Sequence, residues 1–159
     1  MKPSLTILVV DDSQPMCAIL AAILEAAGHD VVLTHSVSAA RRALAALSPD
    51  LILTDYNMPG GKGVDLVRWV RTREVDDRVP IIVVSSEMNA ALHTRMARAG
   101  VDQWIAKPIC VASLIAAVDA VCGLDVPTSG GPSARPDRRA FTPPIAARFS
   151  DCLPRAPIT

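Results

Sequence analysis

Leu51-Ile52-Leu53-Thr54-Asp55-Tyr56-Asn57-Met58-Pro59 opens as an apolar run of strand length, ends in an acid and breaks at a proline. A short apolar run bounded by turn signals reads as a buried strand. The pattern recurs at Leu5 to Val10, Val31 to Thr34, Ile81 to Val84 and Trp104 to Ala106. The first run, Thr6 apart, and the fourth are continuously apolar, as strands covered on both faces are. Segments of helical period lie between and after them. The first sets Met16, Ile19, Leu20, Ile23, Leu24 and Ala27 on one stripe, with Ser13 as cap, Pro15 in the first turn and Gly28 as stop. The second runs from about Ser38 to Leu47 with Leu44 and Leu47 inward, and the third places Val64, Val67 and Val70 inward and Arg68, Arg71 and Arg73 outward. The fourth, about Ala90 to Ala99, packs Leu92 and Met96 and stops at Gly100. The fifth, Ala112 to Cys122, packs Leu114, Ile115, Val118 and Val121. Five strands alternating with five helices predict an α/β chain built on a doubly wound parallel sheet.

Composition changes near Gly123. Residues 123–159 hold seven of the 13 prolines, three of the eight glycines, five Arg and three acids, so the chain divides into a domain at 1–122 and a Pro/Gly/Arg-rich tail expected to be disordered. The tail aromatics Phe141 and Phe149 and the Pro143-Pro144 pair could form a docking peptide, though an extension without function is the simpler reading. The body carries 11 basic and 13 acidic side chains, and the whole chain balances at 16 of each. No overall field draws it to nucleic acid or to an anionic membrane. No apolar run reaches membrane-span length and Met1-Lys2-Pro3-Ser4 leads straight into a strand pattern, which suggests a cytoplasmic protein. Cys17, Cys110, Cys122 and Cys152 are widely spaced and read as plain thiols, and His29, His35 and His93 read as surface or loop residues.

In an open sheet of this kind the binding crevice lies at the carboxyl ends of the strands. Strand one ends in Asp11-Asp12, strand three in Asp55, strand four in Ser85-Ser86 and strand five in Lys107-Pro108. Taken singly these are turns, caps and loops. Together, and in this order, they bring three carboxylates to one crevice, where mutual repulsion calls for a cation. An all-oxygen donor set suits Mg²⁺. Three carboxylates, one divalent ion and one lysine make a neutral site, able to receive a phosphoryl group on a carboxylate nucleophile. Ser85 can offer its hydroxyl to a phosphoryl oxygen.

The segments Leu8-Val9-Val10-Asp11-Asp12-Ser13, Asp55-Tyr56-Asn57-Met58-Pro59 with Gly63, Pro80-Ile81-Ile82-Val83-Val84-Ser85 and Trp104-Ile105-Ala106-Lys107-Pro108 resemble the response-regulator receiver domain of two-component signalling, over about residues 4 to 122. The steps of 30 residues from Asp55 to Ser85 and 52 to Lys107 are similar to the family's spacing. The resemblance implies a (βα)5, flavodoxin-like fold with a five-stranded sheet in the order 2-1-3-4-5. It implies Asp55 as phosphoacceptor, with Mg²⁺, or Mn²⁺ in its place, held by Asp11, Asp12, Asp55 and the Asn57 backbone carbonyl. Lys107 pairs with the phosphate, Ser85 moves to bond it, Trp104 is the aromatic whose rotamer reports the switch, and a cis peptide joins Lys107 to Pro108. Asn57 and Glu87 flank the path of the hydrolytic water and tune dephosphorylation, as in stand-alone chemotaxis-type receivers. The partners implied are a sensor histidine kinase or phosphotransfer protein as donor, and a downstream protein bound through helix four, strand five and helix five. A monomer or a phosphorylation-dependent dimer is implied, with no direct contact to nucleic acid or membrane.

Three positions depart from the family pattern: Gly60-Gly61-Lys62 before Gly63, Ser85 where Thr is commoner, and Trp104 where Tyr or Phe is usual. Rival readings are weaker. A flavodoxin-like cofactor binder needs a small-residue phosphate loop where Asp11-Asp12 stands, and a Mg²⁺-dependent phosphohydrolase asks for an acid where Asn57 stands. A receiver fragment of a longer regulator stays open.

Overall fold

The computed structural model describes residues 2–73, 79–87 and 89–124. The expectation of a disordered tail falls, beyond Leu124, outside the described residues. Five parallel strands form one sheet: β1 (Thr6–Val10), β2 (Asp30–Thr34), β3 (Leu51–Asp55), β4 (Ile81–Ser85) and β5 (Gln103–Ala106). Their spatial order is β2-β1-β3-β4-β5, so the sequence expectation of order 2-1-3-4-5 holds. A short antiparallel hairpin, Asn57–Met58 with Gly61–Lys62, follows β3 and was not foreseen, because two-residue strands carry no periodic signal.

Five helices cover the sheet: α1 (Gln14–Ala26), α2 (Val37–Ala46), α3 (Gly63–Arg71), α4 (Ala90–Ala99) and α5 (Val111–Cys122). Local chemistry sets their ends. Ser13 caps α1 by accepting from Met16 N at 3.4 Å. Ser36 accepts from Ala39 N at 3.1 Å and starts α2 one residue before the expected Ser38. Asn89 caps α4 by accepting from Leu92 N at 2.8 Å, and Gly100 ends that helix at φ 98, where a side chain would be strained.

Alternation along each strand sorts side chains between two cores. Ile7, Val9, Leu51, Leu53, Ile82 and Val84 meet α1 and α5 on one face, while Leu8, Val10, Ile52, Ile81, Val83 and Trp104 meet the α2–α3–α4 side on the other. Four sequence expectations need correction. The buried stripe of α1 is Cys17, Leu20 and Leu24, and Ile19 is 51% exposed, because the helix touches the sheet along a narrower line than its apolar content suggests. Arg71 does not point outward. Its guanidinium bonds the carbonyls of Gly100 and Val79 and the carboxylate of Asp102, tying α3 to the ends of α4 and β5. His29 is buried, accepting from Leu5 N through Nδ1 at 3.3 Å. Of the cysteines, Cys17 and Cys122 are free thiols, whereas Cys110 is disulfide-bonded, which spacing along the chain could not reveal.

Candidate functional site

Parallel pairing brings the carboxyl ends of β1, β3, β4 and β5 to one edge of the sheet, and the acidic crevice sits there. Asp11 follows β1, Asp55 ends β3, Ser85 ends β4 and Lys107 follows β5. One carboxylate oxygen from each of Asp11, Asp12 and Asp55 lies within 4.8 Å of the others. Asp11 and Asp55 are buried and Asp12 is exposed. Lys107 Nζ stands 3.2 Å from Asp55 Oδ1 and 3.6 Å from Asp11 Oδ2.

Asp11 and the Asp55 main chain are held from behind. Asp11 Oδ1 accepts from Ser13 N at 2.9 Å, so the first turn of α1 aims the acid as well as capping the helix. The main chain of Asp55 is fixed by Gly63, where a Cβ would stand 2.2 Å from the Asp55 carbonyl oxygen. A glycine is required there by close approach of two backbones. Tyr56 N donates to Val84 O at 2.9 Å and Gly63 N donates to Tyr56 O at 2.8 Å, which completes the turn after the acid.

The electrostatics are those of a crowded acidic site. Burial pushes the Asp55 carboxyl above the usual range; the Lys107 ammonium pulls it down, and the Asp11 charge adds to the rise. One lysine against three carboxylates leaves the cluster with an excess of negative charge. An oxygen-only donor set of this charge, half buried and open on the Asp12 side, fits a hard divalent cation such as Mg²⁺.

Ser85 is 1% exposed and its hydroxyl accepts from Glu87 N at 3.0 Å, which leaves the proton to donate. Asn57 Nδ2 donates to Glu87 Oε1 at 3.1 Å, so these two side chains form an exposed bridge across the mouth of the crevice. The Lys107–Pro108 peptide is cis. Trp104 is buried on the α2–α3–α4 side, its ring stacked on His93 of α4 with centroids 5.6 Å apart and planes at 18°. Its buried Nε1 has no hydrogen-bond partner among the described residues. By the parity of β4, Ser85 faces the same side as Val83 and Trp104.

Two neighbours of the site escaped sequence reasoning. His35 Nδ1 lies 3.1 Å from the Asp11 carbonyl and 3.5 Å from Cys17 Sγ, and the Cys17 thiol, pushed up by burial and then by the Asp11 charge, backs the same carbonyl at 3.2 Å. His93 was read as a surface or loop residue, yet it stands three residues before the buried Met96 on α4 and stacks on Trp104 of β5, and that spacing was its available signal.

Comparison with known proteins adds relatives. Residues 7–119 match the family described as the response regulator receiver domain. The chain is 34% identical over 119 residues to the chemotaxis protein CheY1 of Helicobacter pylori, covering 74% of this chain and 96% of that one. It is 32% identical over 116 residues to the phosphate regulon transcriptional regulatory protein PhoB of Pseudomonas aeruginosa, covering 73% of this chain but only 51% of the relative. The chain thus spans about half the length of the PhoB relatives it matches. Among solved structures, it is similar to the receiver domain of a signal transduction histidine kinase from Syntrophus aciditrophicus, with TM-score 0.71 and 27% identity over 82% of this chain and 99% of that one. A putative response regulator from Chloroflexus aurantiacus gives TM-score 0.73 and 25% identity over 76% and 99%.

Proposed function

Because the chain belongs to the response regulator receiver family, a group of signalling modules, we propose that Asp55 accepts a phosphoryl group from a phosphohistidine on a sensor kinase or phosphotransfer protein. The observation that carries this reading is the position of Lys107 Nζ, 3.2 Å from Asp55 and 3.6 Å from Asp11, inside a triad of clustered carboxylates.

In the proposed reaction an Asp55 carboxylate oxygen attacks phosphorus while the bond from phosphorus to the donor nitrogen breaks and its electron pair leaves with the imidazole. Lys107 pairs with the transferred group and the Ser85 hydroxyl donates to one of its oxygens. A Mg²⁺ or Mn²⁺ ion held by Asp11, Asp12, Asp55 and the Asn57 backbone carbonyl supplies neutralisation of the phosphoryl charge. Water later attacks phosphorus in line, the bond from Asp55 to phosphorus breaks, and inorganic phosphate leaves with the carboxylate restored; the Asn57–Glu87 bridge supports a role for this pair in tuning that step.

Drawing Ser85 toward the phosphoryl group biases a two-state element on the face it shares with Trp104, and α4, β5 and α5 become the surface that a downstream protein reads. A cytoplasmic, single-receiver role without direct contact to nucleic acid, as monomer or phosphorylation-dependent dimer, fits the near-complete span of the chemotaxis relative and the 11 basic against 13 acidic side chains of residues 1–122. The half-length match to PhoB supports a second reading, a receiver within a longer regulator. Residues 123–159 then serve as tail or linker.

The test is incubation with acetyl phosphate and Mg²⁺ followed by intact mass. Wild type gains one phosphoryl group and Asp55→Ala gains none. If a phosphohistidine donor also leaves wild type unmodified, or if Asp55→Ala is modified equally, the reading fails.

A further inference from the structure

A groove of about 490 Å³ lies between α3 and α4, away from the acidic crevice. Its charged lining is Arg68, Arg71, Arg95 and Arg98, with no acid lining it among the described residues. This segregation runs against the body's balance, since residues 1–122 carry 11 basic and 13 acidic side chains and four of those 11 face one groove. Arg71 is committed to its carbonyl and Asp102 partners. The other three are exposed. Arg68 approaches Asp65 only at 4.0 Å, and among the described residues Arg95 and Arg98 make no ion pair.

The rest of the lining narrows the occupant. Thr72 Oγ1 donates to Trp69 O and Thr94 Oγ1 to Ala90 O, so both hydroxyl protons stay within their own helices and guanidinium is the groove's free donor type. Ala91 and Ala99 are small enough to let a main chain approach. Among the described residues no aromatic ring lines the groove to stack a nucleobase, which disfavours nucleic acid. Arg95 and Arg98 stand one turn apart along α4, a spacing that suits carboxylates placed in succession along a peptide.

We infer that the groove between α3 and α4 is a docking site for a carboxylate-rich segment of a partner protein, held by Arg68, Arg95 and Arg98. The inference stands on the groove and holds whether or not Asp55 takes a phosphoryl group. Because α4 also carries His93 against Trp104, a segment seated there rests on the helix that the proposed switch would move.

The experiment uses the full chain and a fluorescein-labelled synthetic peptide rich in Glu at three- and four-residue spacing, followed by anisotropy. Binding weakens as salt rises, and Arg95→Glu with Arg98→Glu weakens it by about tenfold or more. Arg95→Lys with Arg98→Lys keeps most of it. Arg42→Glu, an equal charge change per site on exposed α2, leaves it unchanged, and circular dichroism checks that each variant is folded. The inference is overturned if the peptide does not bind, if Arg42→Glu costs as much as Arg95→Glu, or if a labelled single-stranded oligonucleotide of equal charge binds more tightly than the peptide.

Discussion

The two faces of the sheet are made of different materials. Against α1 and α5 the buried core is Leu, Ile, Val, Ala and one Cys, without an aromatic ring. Against α2, α3 and α4 it includes Tyr56, Trp104, Met58 and Met96, with Trp69 packed at its margin between the guanidiniums of Arg41 and Arg73. Branched aliphatic side chains interlock in few arrangements, whereas thioethers and flat rings can be repacked at low cost. The site bridges the two materials. Asp55 follows the parity of Leu51 and Leu53 on the aliphatic face, while Ser85 follows Ile81 and Val83 on the aromatic one. The Asp55 carboxylate is thereby anchored on a stiff layer and the Ser85 hydroxyl on an adjustable one.

The largest effects should come from the stiff layer. Leu24→Ala and Leu114→Ala each remove a fully buried side chain and should cost about 2–5 kcal/mol in urea unfolding. Met96→Ala, equally buried on the other face, should fall at the low end of that range because its surroundings can close in. Equal losses on both faces would break the contrast. Next comes Gly63→Ala, where the new methyl must displace the Asp55 carbonyl. It should cost about 1–3 kcal/mol, and the shift of the Asp55 backbone should slow acetyl phosphate labelling by about a hundredfold, read by intact mass. A variant labelled at the wild-type rate would show that Asp55 does not depend on that contact.

The fold was legible because burial on two faces writes itself into sequence: β1 and β4 carry the apolar runs Ile7 to Val10 and Ile81 to Val84, and α4 carries its stop, Gly100, at its end. The crevice residues were legible because strand ends converge by topology, so Asp11, Asp12, Asp55 and Lys107 could be placed together from order alone. What stayed hidden depends on contacts between distant segments. Arg71 looked like a solvent arginine on a helical wheel, yet the carbonyls of Gly100 at the end of α4 and of Val79 just before β4 capture it. The stack of His93 on Trp104 joins side chains 11 positions apart on different elements, and the Asn57–Glu87 bridge joins the hairpin after β3 to the loop after β4. No local periodicity encodes such pairs.

A smaller effect tests the site's charge. Burial raises the Asp55 carboxyl in the metal-free protein more than Lys107 lowers it, so the folded state binds that proton more tightly than the unfolded chain does. Stability is therefore lost as pH climbs from the unfolded carboxyl's value, about 3.9, through the raised folded one. Asp55→Asn removes that loss. In EDTA at neutral pH its Tm should exceed wild type by a few degrees, with the gain vanishing below about pH 3. Mg²⁺ should stabilise wild type more than the variant. A lower Tm for Asp55→Asn at neutral pH would mean that the Lys107 pairing outweighs the burial.

The smallest expected effect is on the adjustable face itself. Trp104→Phe removes a buried N–H that has no partner among the described residues, which is worth about 1–3 kcal/mol in favour of the variant. It also gives up ring area against His93 and within the core it shares with Leu92 and Met96, a loss of similar size in the opposite direction. The net change in unfolding free energy should stay under about 1 kcal/mol, far from the cost of Leu24→Ala. If the aromatic face reports the state of Asp55, the same substitution should still alter the protection of α4 amides on phosphorylation, as followed by hydrogen exchange. A stability loss comparable to Leu24→Ala would make Trp104 a core member as rigid as the aliphatic layer. A small loss with unaltered α4 protection would move the reporting element elsewhere on that face.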